Sequence, residues 1–364
     1  MHTIPVMCPM LPAAERLHPY LKQIDTARIY SNFGPLALAF ERRLAAHFDL
    51  PETAVVTVAN ATLGLTLALL AQQARPGTLC MLPAWTFIAS AHAATLAGLV
   101  PYFVDVDART WAIDAVSAAD LISRASGEVG AVMPVVPFGQ PIDLTAWDRF
   151  RARTGIPVVI DAAAGFDSLV PSETPAVVSL HATKALGIGE GGFVMSANKL
   201  LIEEIRTRAN FGFRAARTAL VPAMNAKLSE YHAAVGLAAL DEWPQARAEW
   251  MAVAGGYRLA LPESNRVRFQ SGFGESWITS TCNLSFADLD AAQVQRVLAG
   301  AQIDSRSWWG GGAHAHPATA ACPRSPLPAT ERLALSTIGV PLFRDMTAAD
   351  VARVADCILA AEAL

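Results

Sequence analysis

The chain has 364 residues, of which 53% are hydrophobic and 16% are charged, a composition that allows a large buried core and argues against an intrinsically disordered protein. Its formal net charge is −4 with no block of like charges, which argues against a partner such as nucleic acid that is bound through its phosphates. The five cysteines are scattered singly and form neither a disulfide framework nor a metal-binding pattern, so we expect a cytoplasmic protein with no metal site.

Two long uncharged stretches, residues 54–71 and 78–104, raise the question of a membrane span. Polar residues interrupt the first stretch at its centre, and Pro83, His92 and Pro101 interrupt the second. A spanning helix needs about 20 continuous apolar residues, and the first residues of the chain lack the basic start and apolar core of a signal peptide. We therefore predict a protein without a membrane segment.

The first predicted strand and helix meet in a short polar segment. Residues 54–58 form a β-branched strand, and Asn60, Ala61 and Thr62 begin the helix that follows. Free N–H groups at such a helix start can bind an anion, because the helix dipole favours negative charge there. Asn60 and Thr62 could equally serve only as helix caps, and the residues alone do not decide between these roles.

The next strands also end in residues that could serve a ligand. The strand at 79–82 is followed by Trp85 and Phe87, of which one could stack on a planar ligand, although aromatic residues at such a junction usually belong to the core. Strands at 129–136 and 156–160 come next, and the second leads directly into Asp161. A carboxylate placed after an apolar strand is poorly solvated, so we expect it to have a cationic partner.

A single lysine follows the predicted strand at 176–178. Ser179, His181, Thr183 and Lys184 lead into a loop that contains four glycines between residues 187 and 192. The pattern indicates an amine that is held against a flat ligand, because glycine lets the backbone approach a ligand closely. The alternative is a solvated lysine at the end of a strand.

Strands and helices alternate through the first 240 residues, which predicts an α/β domain with a mostly parallel sheet flanked by helices. The polar segments at 60–62, 85–87, 161 and 179–184 all lie at the carboxyl ends of predicted strands, where ligands bind in such sheets. The pattern changes near residue 241, where a helix at 230–240 gives way to a longer helix at 241–261. We therefore predict a large domain at 1–240 and a smaller C-terminal α+β domain at 241–364.

Within the smaller domain we predict helices at 288–298 and 347–363. We also predict a loop at 305–328, which contains Arg306, Trp308, Trp309 and His314 between several glycines. A flexible loop with aromatic residues suits a surface that stacks on a ligand. Alternatively, the tryptophans belong to the core of the smaller domain.

In their order along the chain, these residues resemble the DegT/DnrJ/EryC1/StrS family of sugar aminotransferases, which depend on pyridoxal 5′-phosphate (PLP) and form a branch of the fold-type-I aminotransferases. The resemblance runs from about residue 29 to residue 240 and continues more loosely to the C-terminus. Its most specific part is Ser179-x-His181-x-x-Lys184 with Gly189-Glu190-Gly191-Gly192. The other motifs are Pro83-x-x-Thr86-Phe87, Ile160-Asp161-Ala162-Ala163 and Asn225-x-Lys227-x-Ser229.

The resemblance implies a role for each motif. Lys184 would form the Schiff base with PLP and move the proton during transfer, and Asp161 would pair with the pyridinium nitrogen so that the ring acts as an electron sink. Phe87 would stack on the ring. The groups that would bind the phosphate are Ala61, Thr62 and Ser179, and Asn225 would reach the phosphate of the cofactor in a second subunit. A homodimer with shared active sites is therefore implied.

Three positions depart from the usual family pattern. Ala164 stands where the family usually has Gln or His near the 3′-oxygen of the cofactor, Ile160 stands where Glu usually precedes the aspartate, and Ala226-Lys227 replaces a Tyr-Arg pair. The first departure concerns the tuning of the ring, and the last concerns the contact with substrate. Lys184 is retained, whereas dehydratase relatives have His in its place, so the resemblance implies transamination.

The activity implied by the resemblance is transfer of an amino group from L-glutamate to a ketone of a nucleotide-linked deoxysugar. The first expected acceptor is the C4 ketone of a dTDP-4-keto-6-deoxyhexose. A C3 ketone, a keto-inositol and a non-catalytic binding or sensing role are the alternatives. Arg306, Trp308 and Lys227 are the expected contacts of the substrate.

Overall fold

The computed structural model describes residues 2–262, 266–287 and 289–362. Residues 288 and 363, the predicted first residue of one helix and last residue of another, lie outside the described part. The α-helices are α1 (Ala14–Ala27), α2 (Pro35–His47), α3 (Ala61–Ala71), α4 (Ile88–Leu96), α5 (Ala115–Ile122), α6 (Leu144–Thr154), α7 (Lys199–Ala209), α8 (Glu230–Ala260), α9 (Ala291–Gly300), α10 (Pro328–Ser336) and α11 (Ala348–Glu362).

The strands are β1 (Val55–Val58), β2 (Leu79–Pro83), β3 (Val100–Val104), β4 (Val129–Val132), β5 (Ile160–Asp161), β6 (Ala176–Ser179), β7 (Gly192–Met195), β8 (Val267–Phe269), β9 (Cys282–Phe286) and β10 (Thr337–Val340). Short 3-10 helices lie at Glu52–Ala54, Pro137–Gly139, Ala313–Ala315 and Pro317–Thr319.

One large sheet has the strand order β1-β7-β6-β5-β4-β2-β3. Strands β5 and β6, β2 and β4, and β2 and β3 pair in parallel, whereas β7 runs antiparallel to both of its neighbours. Parallel bridges from Val132 to Val158 and from Val135 to Asp161 join β4 to the segment that ends in β5. The predicted α/β fold with a mostly parallel sheet is confirmed, and a smaller antiparallel sheet, β10-β9-β8, follows in the C-terminal part.

Helices cover both faces of the large sheet. Val177 and Val194 point into one apolar layer, which also contains residues of α3, α4 and α7. Val178 and Phe193 point into the other layer, which also contains residues of α2, α6 and α8. A parallel sheet that is buried on both faces needs nearly continuous apolar strands, and this is why the strands are rich in Val, Leu and Ala.

A buried carboxylate fixes the start of helix α2 to the start of helix α8. Glu230 is 1% exposed, and its two side-chain oxygens accept hydrogen bonds from the backbone N–H groups of Leu36 (2.8 Å) and Ala37 (2.9 Å). These N–H groups have no partner within their own helix, because they lie in its first turn. Glu230 therefore caps α2 from a position far away in the sequence.

Helix α8 runs without a break from Glu230 to Ala260. The prediction of two helices that meet near residue 241 was therefore wrong. Pro244 removes one backbone donor inside the helix, but packing against α1 and α2 before this point and against α11 beyond it holds the helix together. The division into domains at residue 241 stays a prediction, and the continuous helix crosses it.

None of the described helices combines the length with the apolar composition that a membrane crossing requires.

Candidate active site

The carboxyl ends of β5 and β6 bring together one carboxylate and one amine. Asp161 ends strand β5 and is 5% exposed. Lys184 is partly buried in the turn that follows β6. The charge of each group acts on the pKa of the other, so Lys184 is close enough to Asp161 to interact with it electrostatically.

Burial and mutual attraction act on these two groups in opposite senses. Burial raises the pKa of Asp161, and hydrogen bonds and the charge of Lys184 oppose this rise. Burial likewise lowers the pKa of Lys184, and the charge of Asp161 opposes this fall. The strand end therefore holds an amine that loses its proton more readily than an ordinary lysine does.

Two hydrogen bonds hold the Asp161 carboxylate in place. The Ser90 hydroxyl donates to Oδ2 (2.6 Å), and the backbone N–H of Ala163 donates to Oδ1 (3.1 Å). A second hydroxyl, that of Thr86, lies 2.9 Å from the Ser90 oxygen. Ser90 was not predicted as a site residue, although it is a polar residue one helical turn beyond Phe87.

Strands β1, β6 and β7 meet the start of helix α3 in a narrow cradle at Gly192. Gly192 pairs with Ser179 on one side and with Val58 on the other. A Cβ atom on Gly192 would lie 2.9 Å from the backbone nitrogen of Ala61, which only glycine permits. Strand β7 therefore approaches the start of α3 closely, beside the end of β6 that carries Ser179.

The start of helix α3 leaves N–H groups available to a ligand. Asn60 caps the helix, because its side-chain oxygen accepts a hydrogen bond from the N–H of Leu63 (2.9 Å). The N–H groups of Ala61 and Thr62 precede the first intrahelical hydrogen bonds of α3. Capping by Asn60 and anion binding at Ala61 and Thr62 are thus compatible.

Of the two aromatic residues after β2, only Phe87 offers its ring to the solvent. Phe87 is 58% exposed, whereas Trp85 is 3% exposed and lies in the core. Phe87 is the N-cap residue of α4, one turn before Ser90, which contacts Asp161. The exposed ring therefore belongs to the same helical turn as the hydroxyl that holds the carboxylate.

Asn225 and Lys227 lie on the segment that leads to α8. The Asn225 side chain is exposed, and the next residue, Ala226, accepts a hydrogen bond from the Ala59 N–H just beyond β1 (2.7 Å). Lys227 Nζ lies 4.3 Å from the centre of the Phe211 ring, and burial lowers its pKa. Among the described residues Nζ has no hydrogen-bond partner, and no described contact joins Lys227 to Lys184.

The loop at 305–328 crosses the carboxyl ends of β2 and β4. The Ala313 N–H donates to the Ala84 carbonyl (2.8 Å), and Trp309 stacks on Phe138 with ring centres 3.7 Å apart. Arg306 and Trp308 lie on the other side of the loop, against β10.

The exposed Arg306 and the partly buried Trp308 form a stacked pair. The Arg306 guanidinium lies 5.0 Å from the centre of the Trp308 ring, and the Arg306 backbone pairs with Gly339 of β10. Among the described residues no contact joins Arg306 or Trp308 to Lys184 or Asp161. Trp308 packs against the apolar core at the edge of the smaller sheet. This position agrees with the alternative prediction, in which the tryptophans belong to the core.

Among the described residues no group of three or more His, Cys, Asp or Glu side chains is arranged to hold a metal ion.

Comparison with known proteins adds an independent observation. The model of the DegT/DnrJ/EryC1/StrS aminotransferase family matches residues 13–359. Protein Rv3402c of Mycobacterium tuberculosis (strain ATCC 25618 / H37Rv) is 32% identical over 378 residues, covering 99% of this chain and 90% of that protein.

Two further relatives have descriptive names. The dTDP-4-amino-4,6-dideoxy-D-glucose transaminase of Shigella dysenteriae is 31% identical and covers 64% of this chain and 63% of its own length. The GDP-perosamine synthase of Caulobacter vibrioides (strain ATCC 19089 / CIP 103742 / CB 15) is 30% identical and covers 72% of each chain. The crystal structure of DesI in the presence of its TDP-sugar product has a TM-score of 0.87 and 28% identity, covering 99% of this chain and 93% of that chain.

Proposed function

The chain belongs to the DegT/DnrJ/EryC1/StrS aminotransferase family, and we propose that it transfers an amino group from L-glutamate to the C4 ketone of a dTDP-4-keto-6-deoxyhexose. It is a PLP-dependent aminotransferase of the sugar-modifying kind. The dTDP-sugar named for the Shigella relative and the TDP-sugar product in whose presence DesI was solved support the proposed substrate. The name of the Caulobacter relative contains a GDP-sugar. The assay described below therefore compares dTDP-linked and GDP-linked ketones.

The residues at the strand ends fit PLP. A buried carboxylate and an amine interact electrostatically, an exposed aromatic ring lies on the same turn as the carboxylate's partner, and a glycine-lined cradle meets a helix start. These are the groups that a pyridine nitrogen, an aldehyde, a flat ring and a phosphate require. When bound, PLP supplies an electron sink for the carbon that exchanges its amino group.

The electrostatic interaction of Asp161 and Lys184, at the ends of the paired strands β5 and β6, is the observation that carries the proposal. Asp161 would hold a proton on the pyridine nitrogen, because a carboxylate next to this nitrogen favours its charged form. Lys184 would hold the cofactor at its aldehyde carbon. Since burial lowers the pKa of Lys184, its Nζ is better suited to accept and return a proton than the amine of an ordinary lysine.

We propose that the cradle binds the cofactor phosphate. The N–H groups of Ala61 and Thr62 would donate to the phosphate oxygens, where the dipole of α3 adds to the attraction. Ser179 accepts a hydrogen bond from the N–H of His181 (3.3 Å), which leaves the hydroxyl proton of Ser179 free to donate. Phe87 would cover one face of the ring.

We propose a homodimer in which Asn225 reaches the cofactor phosphate of the second subunit. Asn225 is exposed, and it lies in a region with apolar side chains that face solvent, since Phe211 is 46% exposed and Leu220 is 60% exposed. The Phe211 N–H bonds to the Met224 carbonyl, so these residues adjoin Asn225. Exposed apolar side chains of this kind are typical of a surface that another chain covers.

The loop at 305–328 is the proposed contact of the nucleotide. Arg306 is exposed and charged, and the loop crosses the strand ends at which PLP is expected to bind. Trp308 and Lys227 are proposed as further contacts of the substrate, and neither contacts Lys184 in the described chain.

Amination of a defined set of ketones tests the proposed substrate. The PLP-loaded protein is incubated with L-glutamate and dTDP-4-keto-6-deoxyglucose, its 3-keto isomer, a GDP-linked 4-keto-6-deoxyhexose or a keto-inositol, and products are identified by mass spectrometry and NMR. We expect an amino group at C4 of the dTDP-sugar, with formation of 2-oxoglutarate and no product from Lys184→Ala. Amination of another ketone in preference would overturn the proposed substrate and leave the cofactor assignment unaffected.

A further inference from the structure

Two hydroxyl groups lie in a row behind the carboxylate of Asp161. Ser90 donates to Asp161 Oδ2 at 2.6 Å, and the Thr86 and Ser90 oxygens are 2.9 Å apart. All three side chains are shielded from solvent, with exposed fractions of 1% for Thr86, 0% for Ser90 and 5% for Asp161. Water therefore cannot replace either hydroxyl without a change in the fold.

The direction of both hydrogen bonds follows from the chemistry of the groups. An ionised carboxylate only accepts hydrogen bonds, so the Ser90 proton must point at Asp161. The Ser90 oxygen is then left as an acceptor, and the Thr86 hydroxyl must donate to it. Hydrogen bonds in such a row polarise one another, so Thr86 strengthens the bond from Ser90 to Asp161.

Ser90 is the side chain that fixes the Asp161 carboxylate. The other described hydrogen bond to this carboxylate comes from the backbone of Ala163. The side chain of Ala164, three residues after Asp161, has no polar atom that could share the task. A hydrogen bond to a charged acceptor at 2.6 Å is short and among the stronger kinds in proteins.

The position of Ser90 links the carboxylate to the aromatic ring. Ser90 lies in the first turn of α4, whose N-cap residue is Phe87, and the Ser90 N–H bonds to the Phe87 carbonyl (3.3 Å). The first turn of α4 therefore presents an exposed ring and, beneath it, a hydroxyl that holds Asp161. The positive end of the helix dipole also lies at this turn, which favours a negative charge on the neighbouring carboxylate.

We propose that Ser90, supported by Thr86, is a positioning residue that keeps Asp161 ionised and directed at the pyridine nitrogen of PLP. This inference rests on the proposed function only in that PLP is the cofactor, and it is independent of the ketone that is aminated. Ser90 acts through Asp161 and needs no contact with the substrate. Loss of its hydroxyl frees one carboxylate oxygen and raises the affinity of the carboxylate for a proton.

The test removes each hydroxyl in turn. The variants are Ser90→Ala and Thr86→Val, and the control is Thr95→Ala, which removes a hydroxyl from the other end of α4, where it bonds to the Ala91 carbonyl. The dissociation constant of PLP is measured by dialysis. The rate of the half-reaction with L-glutamate and the visible absorbance of the bound cofactor are measured as functions of pH, and thermal unfolding checks that each variant folds.

We expect Ser90→Ala to weaken PLP binding and to slow the half-reaction, each by about 10-fold or more, because a hydrogen bond to a charged group is lost. The acid limb of its pH profile should move to higher pH, since the pKa of Asp161 rises when a donor to its charged form is removed. Thr86→Val should shift both quantities in the same direction by a smaller amount, and Thr95→Ala should shift neither.

Wild-type PLP affinity together with an unshifted acid limb in Ser90→Ala would overturn the proposal. If Ser90→Ala does not fold, Thr86→Val decides, because it preserves the Ser90–Asp161 contact and removes only the donor behind it. If the acid limb of the pH profile of Thr86→Val lies at the same pH as in the wild type, Thr86 does not strengthen the bond from Ser90 to Asp161, and the proposal is refuted. A protein that binds PLP normally but aminates none of the sugars would refute the proposed substrate and leave this test intact.

Discussion

Asp161 and Lys184 show how burial and a single partner set the chemistry of a residue. Burial alone would favour a neutral acid and a neutral amine, and the attraction between the two groups opposes both changes. The protonation of Lys184 therefore depends on the charge of Asp161. This dependence can be measured without any sugar substrate.

Asp161→Asn should lower the pKa of Lys184 further. The burial that lowers this pKa remains in the variant, while the negative charge that raises it is gone. Only the unprotonated amine attacks an aldehyde, so the rate at which the apoprotein captures PLP should reach half of its maximum at a lower pH than in the wild type. The pH dependence of capture is followed by the change in absorbance.

The control for this measurement is Asp143→Asn, which removes an exposed carboxylate that caps helix α6. Its half-maximal pH should equal that of the wild type. An equal or higher half-maximal pH in Asp161→Asn would show that the two groups do not interact as described.

The sequence was sufficient to predict that a carboxylate and an amine follow two strands of the same sheet, because each motif is local. Lys184 follows a strand and precedes a glycine loop, and Asp161 follows an apolar strand. Ser90 was missed because its importance arises from a contact with a residue 71 positions away in the chain. Such a contact depends on how α4 packs on β5, which no local pattern encodes.

At the scale of secondary structure, the approach of β7 to the start of α3 determines the shape of the cradle that we propose for the phosphate. Gly192→Ala would place a Cβ atom 2.9 Å from the Ala61 nitrogen and 2.9 Å from the Val178 carbonyl oxygen, so backbone must move. We expect the affinity for PLP to fall by about 10-fold or more, because N–H donors to the phosphate are displaced. The affinity for pyridoxal, which has no phosphate, should change much less.

The ratio of the two affinities, measured by fluorescence titration, separates a local effect from misfolding. Gly255→Ala is the matched control, since a Cβ atom at this helical position meets no atom within 4 Å. Equal losses for PLP and pyridoxal in Gly192→Ala would contradict the assignment of this cradle to the phosphate.

A buried carboxylate, that of Glu230, contributes to the attachment of α2 to α8, and its removal should lower stability. Glu230→Ala leaves the N–H groups of Leu36 and Ala37 buried without their acceptor, and we expect the free energy of unfolding to fall by about 2–4 kcal/mol. Urea unfolding measures this change. Glu15→Ala, at an exposed site in α1, should leave the free energy of unfolding nearly unchanged, and an equal value for both variants would contradict the capping role.

Strand and helix patterns predicted the order of the elements well, and they failed where tertiary packing overrides a local signal. Helix α8 was predicted as two helices because the pattern changes near residue 241. The helix continues past Pro244 because its surface is held by α1, α2 and α11. The backbone hydrogen bond that Pro244 removes costs less free energy than the burial of the helix's apolar side contributes.

At the scale of the whole molecule, the proposed homodimer predicts that each active site uses residues of two chains. Lys184→Ala and Asn225→Ala should each be inactive or strongly impaired as pure dimers. A mixed dimer of the two variants would contain one site with both residues intact. Random mixing should therefore restore about a quarter of the wild-type activity, since half of the dimers are mixed and each has one intact site.

Mixing is carried out by refolding or coexpression, and activity is compared with that of the unmixed variants. A mixture with no more activity than its components would show that Asn225 serves the site of its own subunit. A monomer by light scattering would contradict the proposal of shared sites altogether.

The central claim is that PLP is held at Lys184, opposite Asp161, and trapping of the cofactor tests it most directly. The chain has only four lysines, Lys22, Lys184, Lys199 and Lys227, so the PLP-loaded protein can be reduced with borohydride and the modified peptide identified by mass spectrometry. The account predicts a phosphopyridoxyl group on Lys184 in the wild type and none in Lys184→Ala. A group on one of the other three lysines, or no modification of a protein saturated with PLP, would contradict it.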